Sequence, residues 1–311
     1  MTLRLTIFVL LCSLCACSVK KYAVRQVGAS LNSGPSVFET DDDLELVGDA
    51  LPFSLKLVET LLAEVPDDRN LLLTAARGFT LYSYAYVDFP AEQTYENDLD
   101  RGREMRERAL RLYLRAAGYG FRAIETLYPG FEEALRRNPQ DAVLVTNPKK
   151  RSRDVPLMYW TAAALGLAVS NAKSDAAMLA RLEEVDALIA RCTELDPDWD
   201  GGSLHEFQLT LAGARPGGPE RAALDQAFQS AEALREGSSA ALYVSYAEAA
   251  AVPAQDVALF REMLAKAKAV AIDDYPERRL LNTLAQRRAS WLENRIEDLF
   301  LILEPLEEPA P

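Results

Sequence analysis

The sequence predicts an all-α protein on three observations. The 311 residues are 49% hydrophobic and 26% charged, the proportions of a globular chain that buries a sizeable core. Gly and Pro number only 15 and 16, and turn dipeptides are sparse, which argues against a sandwich or barrel of many short strands. Apolar residues instead recur at steps of three and four, the period of an amphipathic helix.

The first element is an export signal. Arg4 precedes an apolar stretch of about ten residues, half of the roughly twenty that a membrane-spanning helix needs. The stretch ends in Leu14-Cys15-Ala16-Cys17, which resembles the lipobox of bacterial lipoproteins. We therefore predict a signal peptide over 1–16, cleavage between Ala16 and Cys17, and acyl chains such as palmitate on Cys17, which would hold the chain at a membrane. The alternative is an ordinary secretory signal with an incidental cysteine.

Cleavage and lipidation would leave Cys192 as the single thiol of the mature chain. One cysteine cannot form an intrachain disulfide, and a structural zinc site would lack a thiolate pair. We interpret Cys192 as a small buried hydrophobic residue, with a reactive thiol as the alternative.

The mature chain divides into three parts. Residues 17–39 are polar and small and show no apolar period, which is typical of a flexible tether. Thr40 and the three acidic residues after it can cap a first helix, so we place a single helical domain over 40–303. Residues 304–311 form an acidic, Pro-rich tail that we expect to be disordered.

The helical domain is built from hairpins. A broad apolar stripe predicts a helix over Leu51 to Val65, and a second helix follows directly, with apolar residues on one face from Leu72 to Tyr86. The same pattern continues along the chain, with helices predicted over 106–117, 129–137, 158–171, 179–195, 203–211, 220–235, 240–250, 254–270 and 277–303. Pro66, Pro139 and Pro197 mark similar helix boundaries at unequal intervals, which looks like degenerate tetratricopeptide repeats. The sequence thus predicts an α-solenoid of roughly eleven or twelve helices.

Composition excludes several classes of function. The formal charge is −13, whereas a protein that binds nucleic acid needs clustered Lys and Arg, so we expect no nucleic-acid partner. The chain has one histidine and no glycine-rich phosphate loop. Nucleophilic triads and metal clusters of the common kinds are therefore not available, and we expect a protein that is not an enzyme and has no cofactor or metal.

The single histidine lies beside a capping signature. Ser203 and Glu206 have the Ser-x-x-Glu spacing of a capping box, which would place His205 in the first turn of a helix, where the positive helix end disfavours its charged form. We interpret His205 as structural and Glu206 as a cap. The alternative is a ligand contact by His205 beside Trp199.

Two clusters of rings carry the remaining hypotheses on binding. Tyr159 and Trp160 form one cluster, and Tyr243 and Tyr246 form another. Core packing explains such rings, but on a concave face they would line a groove for an apolar ligand or contact a partner. The basic run over 149–153 is interpreted as a solvated loop, or otherwise as a contact for lipid head groups or an acidic partner.

Several stretches of the chain, in order behind the lipobox, resemble the T-component family of TRAP transporters, the TatT-type lipoproteins. These stretches are DALPFSLKLVETLLAEVPDDRNLLLTAARGFTLYSYAYV, VPLMYWTAAALG, DPDWDGGSLHEF, YVSYAEAAAVPAQD and NTLAQRRASWLENRIEDLF. The resemblance implies a periplasmic, membrane-tethered helical protein that works beside the extracytoplasmic solute-binding subunit of a tripartite ATP-independent transporter. It also implies homo-oligomers and an apolar small-molecule ligand, and it carries over no catalytic residue.

Two hypotheses on function follow. The first is an accessory component that docks the solute-binding subunit. The second is a ligand-carrying or cell-envelope assembly lipoprotein with an apolar groove. Ser18 after the lipidated cysteine is not the aspartate that retains lipoproteins at the inner membrane, so a periplasm-facing anchor in the outer membrane is preferred.

Overall fold

The computed structural model describes residues 20–31, 36–215 and 217–301. The predicted signal peptide, the cleavage and lipidation site at Ala16 and Cys17, and the tail over 304–311 lie outside these residues. Every regular element in the described ranges is a helix or helical turn, which confirms the all-α prediction. No helix in these ranges is long and apolar enough to cross a membrane.

The α-helices are numbered here in chain order. They are α1 (20–31), α2 (Leu44–Glu64), α3 (Arg69–Ser83), α4 (Phe89–Tyr95), α5 (Leu99–Glu125), α6 (Phe131–Arg137), α7 (Pro139–Ala142), α8 (Arg151–Ser170), α9 (Ala176–Ala180), α10 (Leu182–Leu195), α11 (Ser203–Ala212), α12 (Arg221–Arg235), α13 (Ala240–Tyr246), α14 (Val252–Ala254), α15 (Val257–Ala269), α16 (Arg279–Glu293) and α17 (Ile296–Leu299).

The described chain divides into two compact units, and the single helical domain over 40–303 stays a prediction. Unit 1 comprises Met1–Val37 and Glu45–Asp196, and unit 2 comprises Phe38–Leu44 and Pro197–Pro311, as far as these residues are described. The boundary falls at Pro197, one of the prolines that sequence analysis took as repeat boundaries within one stack. The continuous stacking of a solenoid stays a prediction.

Unit 1 is built around α5. The helix starts where the Asp98 carboxylate accepts a hydrogen bond from the Arg101 amide at 2.9 Å, and it runs for 27 residues, well beyond the predicted 106–117. Small residues on its buried face allow close approach of α8. A Cβ at Gly120 would overlap the Thr161 hydroxyl and lie 3.0 and 3.1 Å from Thr161 Cβ and Cα. The α5 and α8 backbones can therefore meet only through a glycine at this position.

In unit 2, the buried amide of Asn282 joins α16 to the start of α13. Its Oδ1 accepts a hydrogen bond from the Ala240 amide at 2.9 Å, and its Nδ2 donates to the Ser238 carbonyl at 3.0 Å. These bonds satisfy backbone groups at the start of α13 that would otherwise be unpaired in the core. The helix predicted over 277–303 is interrupted after Glu293, and α17 follows as a separate short helix.

Each unit contains one π-helical turn that sequence analysis missed. The turns are Tyr84–Asp88 and Ala247–Ala251, and each precedes an apolar residue followed by Pro and Ala. The amides of Phe89 and Val252 bond the carbonyls five residues back. A proline inside an α-helix clashes with the carbonyl four residues earlier, and the wider π turn relieves this clash without ending the helix.

Residues 20–31, within the predicted flexible tether over 17–39, form α1, which contacts α2 and α3. Contact is made by charged side chains and by Gly28, which is buried against Leu71. Because neither feature produces an apolar period, sequence analysis did not predict this helix.

Candidate functional site: an arginine surface on unit 1

A row of arginines follows the solvent face of α5. Arg108, Arg111, Arg115 and Arg122 are all exposed, and their spacing places them on one side of the helix. No acidic residue occurs in α5 between Arg108 and Ile124, although the whole chain has a formal charge of −13. The face is therefore a local concentration of positive charge on an acidic protein.

Aromatic rings of α3 and α5 lie beneath these guanidinium groups. Arg115 lies over Phe79 at 4.8 Å from the ring centre, and Arg108 lies over Tyr82 at 5.8 Å and donates to its hydroxyl at 3.2 Å. Arg122 lies over Tyr119 at 5.4 Å. Cation–π contacts of this kind restrict the rotamers of exposed arginines, so less entropy is lost when they bind an anion.

Glu59 of α2 fixes one end of this surface. Its carboxylate accepts hydrogen bonds from Lys56 at 2.8 Å and from the Tyr119 hydroxyl at 2.5 Å, and it pairs with Arg115. Burial alone would raise the pKa of Glu59, but the two hydrogen bonds and the charge of Arg115 outweigh it and hold the pKa below its ordinary value. Glu59 is therefore ionised at neutral pH and orients Arg115.

We call Lys56, Arg108, Arg111, Arg115 and Arg122, with the rings of Phe79, Tyr82 and Tyr119, the arginine surface. Among the described residues, Glu59 is the carboxylate that pairs with this set, and Arg111 has no ion pair. Five cations against one carboxylate leave a net charge of +4. Such a surface can bind carboxylates of an acidic partner, and each guanidinium can use two parallel N–H donors for this purpose.

The rings named from the sequence are divided between the two units. Tyr159 and Trp160 lie on α8 of unit 1, edge to face at 5.2 Å, and Arg77 lies over Trp160 at 5.5 Å. Trp199 and His205, like Tyr243 and Tyr246, belong to unit 2.

Tyr243 and Tyr246 lie in the core of unit 2, each only 6% exposed. Phe228 stacks on Tyr246 at 4.2 Å. The Tyr243 hydroxyl donates to Glu232 at 2.7 Å and the Tyr246 hydroxyl to Asp225 at 2.5 Å. A role of these two rings in a groove stays a prediction.

A family model described as TRAP transporter T-component matches residues 40–300 of this chain. The chain belongs to the TRAP transporter T-component family. A relative from Treponema pallidum (strain Nichols), described as an uncharacterized protein, is 29% identical over 309 residues, which cover 93% of this chain and 95% of the relative. The arginine surface of this T-component lies wholly within the matched range.

The predicted capping box is not formed in this T-component. Gly202, at φ 103°, occupies the N-cap position of α11, and Ser203 is the first helical residue. Its hydroxyl donates to the Asp200 carboxylate and accepts from Arg235 at 2.7 Å, while Glu206 accepts from Arg235 at 3.2 Å. The two side chains therefore hold a buried arginine, because a left-handed glycine can take the cap position that Ser203 would otherwise fill.

His205 is half-buried in the first turn of α11. Burial lowers the pKa of His205 below its ordinary value, although a hydrogen bond with Gln208 and the charge of Asp198 act in the opposite direction. The neutral form is therefore favoured at neutral pH, as sequence analysis expected, but burial rather than the helix end is the main cause.

Cys192 lies in the core of unit 1 and is completely buried, which confirms its interpretation as a small hydrophobic residue. Burial raises the pKa of its thiol well above the ordinary value. No cluster of three or more His, Cys, Asp or Glu side chains in the described ranges is arranged to hold a metal ion.

Proposed function

We propose that this T-component is a membrane-tethered, periplasm-facing accessory protein that docks the solute-binding subunit of a TRAP transporter through the arginine surface. Family membership supports a place beside the transporter. The single observation that carries the docking site is the net charge of +4 on the arginine surface, where three of the four arginines lie over aromatic rings. The lipobox-like run before Cys17 supports the tether.

The charge pattern favours an acidic partner surface. At about 0.1 M ionic strength, charges act over a Debye length of about 10 Å, so the net positive charge of the arginine surface attracts acidic groups before contact. Tethering keeps the T-component near the membrane, where the solute-binding subunit must deliver its cargo, and raises the effective concentration of the pair. A modest affinity, on the order of micromolar, would then be sufficient for transient docking.

Pull-down of the cognate solute-binding subunit from detergent extract tests the docking. The variant Arg108→Glu/Arg111→Glu reverses two charges of the arginine surface. The control Arg103→Glu changes an exposed arginine of the same helix that lies nearer its N-terminus, by about 7.5 Å relative to Arg108 and about 12 Å relative to Arg111. We expect the intact protein and Arg103→Glu to retain the partner and the double variant to lose at least about tenfold in affinity, since close charge pairs across interfaces are worth more than 1 kcal/mol.

Two outcomes would contradict this proposal. Failure of the intact protein to retain the solute-binding subunit, even after cross-linking, would refute docking itself. Retention of the partner by the double variant with unchanged affinity and unchanged salt dependence would refute the arginine surface as its site.

Anchoring is tested by Cys17→Ser and cell fractionation. We expect the variant to leave the membrane fraction, because acyl chains on Cys17 are proposed to hold the protein there. A variant that stays wholly in the membrane fraction at the same processed mass would refute lipidation of Cys17. The outer membrane as the final location, a homo-oligomer and an apolar ligand stay predictions.

A further inference from the structure

Helix α1 is fixed to the turn between α2 and α3. Lys20 Nζ lies 2.8 Å from Glu64 Oε1 at the end of α2, and Arg25 lies 3.7 Å from Asp67 and 4.0 Å from Asp68 in the turn. The same Asp68 carboxylate caps α3 by accepting a hydrogen bond from the Leu71 amide at 3.0 Å. The ion pairs of α1 are therefore made with residues that unit 1 itself holds in place.

Gly28 makes the contact close. It is buried, and a Cβ at this position would lie 2.8 Å from Leu71 Cγ and 3.1 Å from Asp68 Oδ1. Leu71 is completely buried, so it cannot move aside cheaply. Any larger residue at position 28 would push α1 away from the start of α3.

The charges of α1 are opposite in sign to those of the α2–α3 turn that it contacts. Residues 20–31 contain Lys20, Lys21 and Arg25 and no acidic residue. The facing end of unit 1 contains Glu64, Asp67 and Asp68. An acidic surface is repelled by anionic lipid head groups, and the cations of α1 remove most of this repulsion.

The proposed anchor at Cys17 is only a short distance along the chain from α1. Cys17 precedes Lys20 by three residues, so its Cα lies within about 11 Å of the Lys20 Cα in any chain conformation. An acylated Cys17 sits at the level of the lipid head groups. Since Lys20 contacts Glu64, the end of unit 1 formed by the α2–α3 turn lies near the same level.

We propose that the α2–α3 turn is the membrane-facing surface of this protein and that α1 is a short rigid spacer, so that unit 1 stands on the bilayer in one orientation. This inference rests on the anchoring at Cys17 proposed above. The arginine surface then begins near the bilayer, because Arg122 donates to the Pro66 carbonyl of the turn at 2.9 Å. Arg108 lies about 21 Å further along α5, so the surface extends away from the turn.

The test uses full-length lipidated protein in vesicles that contain head-group nitroxide lipid. Single fluorophores are attached at Ala63→Cys and Asp49→Cys, which are exposed positions about 21 Å apart on α2. Cys192 is buried and Cys17 is acylated, so labelling is confined to the new thiol. We expect the probe at position 63 to be quenched strongly and the probe at position 49 weakly.

The variants Gly28→Leu and Ala29→Leu separate the effect of the contact between α1 and Leu71 from the effect of a new leucine in α1. Both place a good helix former in α1, but only position 28 faces Leu71, and Ala29 is exposed. We expect Gly28→Leu to abolish the difference between the two probes and to speed trypsin cleavage after Lys20, Lys21 and Arg25 by about tenfold or more, since cleavage follows local opening. Ala29→Leu should behave as the unchanged protein does.

Equal quenching of the two probes in the floated, unchanged protein would overturn the orientation and leave the anchoring intact. Persistence of the quenching difference in Gly28→Leu would overturn the role of α1 as spacer. If the unchanged protein does not float with the vesicles, then the proposed anchoring fails and this inference fails with it.

Discussion

Two glycines of α5, two residues apart, should respond in opposite directions to the same substitution. Gly120 faces α8 at the closest approach of the two helices, whereas nothing lies within 4 Å of a Cβ built at Gly118. Both are interior helical positions, where Ala is favoured over Gly by about 0.5–1 kcal/mol. The helix propensity term is thus the same in Gly118→Ala and Gly120→Ala, and the difference between them reports packing alone.

The destabilisation that we expect from Gly120→Ala follows from the contacts that the new methyl group would make. The new methyl would lie 3.0 and 3.1 Å from Thr161 Cβ and Cα and would overlap the hydroxyl, so α8 must move or Thr161 must change rotamer. Overpacking of this kind costs about 1–3 kcal/mol. The Thr161 hydroxyl also donates to the Leu157 carbonyl at 2.6 Å, and loss of this bond adds about 1 kcal/mol.

We therefore expect Gly120→Ala to lower the free energy of unfolding by about 2 kcal/mol, and Gly118→Ala to raise it by about 0.5–1 kcal/mol. Urea unfolding followed by far-UV circular dichroism measures both, and hydrogen exchange assigns the change to unit 1. The interpretation of α5–α8 packing is wrong if Gly120→Ala is as stable as the unchanged protein, or if both variants shift in the same direction.

Three further predictions follow from buried polar groups. Arg235→Met should destabilise unit 2 by about 3–5 kcal/mol, because Glu206 would lose its buried cation; a thermal melt that matches the unchanged protein would contradict this. The pKa of Glu59 is lower in the folded state than its unfolded value near 4.5, so its contribution to stability is present above that value and is lost as the pH falls through it and below. Glu59→Gln should therefore flatten this part of the profile of unfolding midpoint against pH. An unchanged profile would count against the pairing with Arg115. Cys192 should react with a thiol reagent only after denaturant is added, and rapid labelling of the native protein would show that the core of unit 1 opens readily.

Local patterns determined the helical class and many helix starts. A helix depends on bonds between residues four apart and on a single apolar face, and both are written in a short stretch of sequence. The stripe that predicted a helix from Leu51 belongs to α2, and the burial of Cys192 follows from its place on such a stripe. These features needed no knowledge of distant residues.

The tertiary structure decided which polar residues meet. Ser203 and Glu206 have the spacing of a capping box, but Arg235 from another helix is their partner, and a glycine takes the cap. The regular spacing of arginines along α5 was visible in the sequence. Its meaning depended on the rings of Phe79 and Tyr82, which α3 brings beneath it.

The sequence by itself therefore determined the all-α class and most of the longer helices, whereas the tertiary structure alone decided the division into two units, the arginine surface and the docking of α1. Helix formation is governed by neighbours along the chain, so a period of three and four is sufficient to predict it. Ion pairs, cation–π contacts and close approach at a glycine join residues far apart in sequence and leave no period. Gly28 against Leu71 is the clearest case, since its importance arises entirely from the residue that the fold places opposite it.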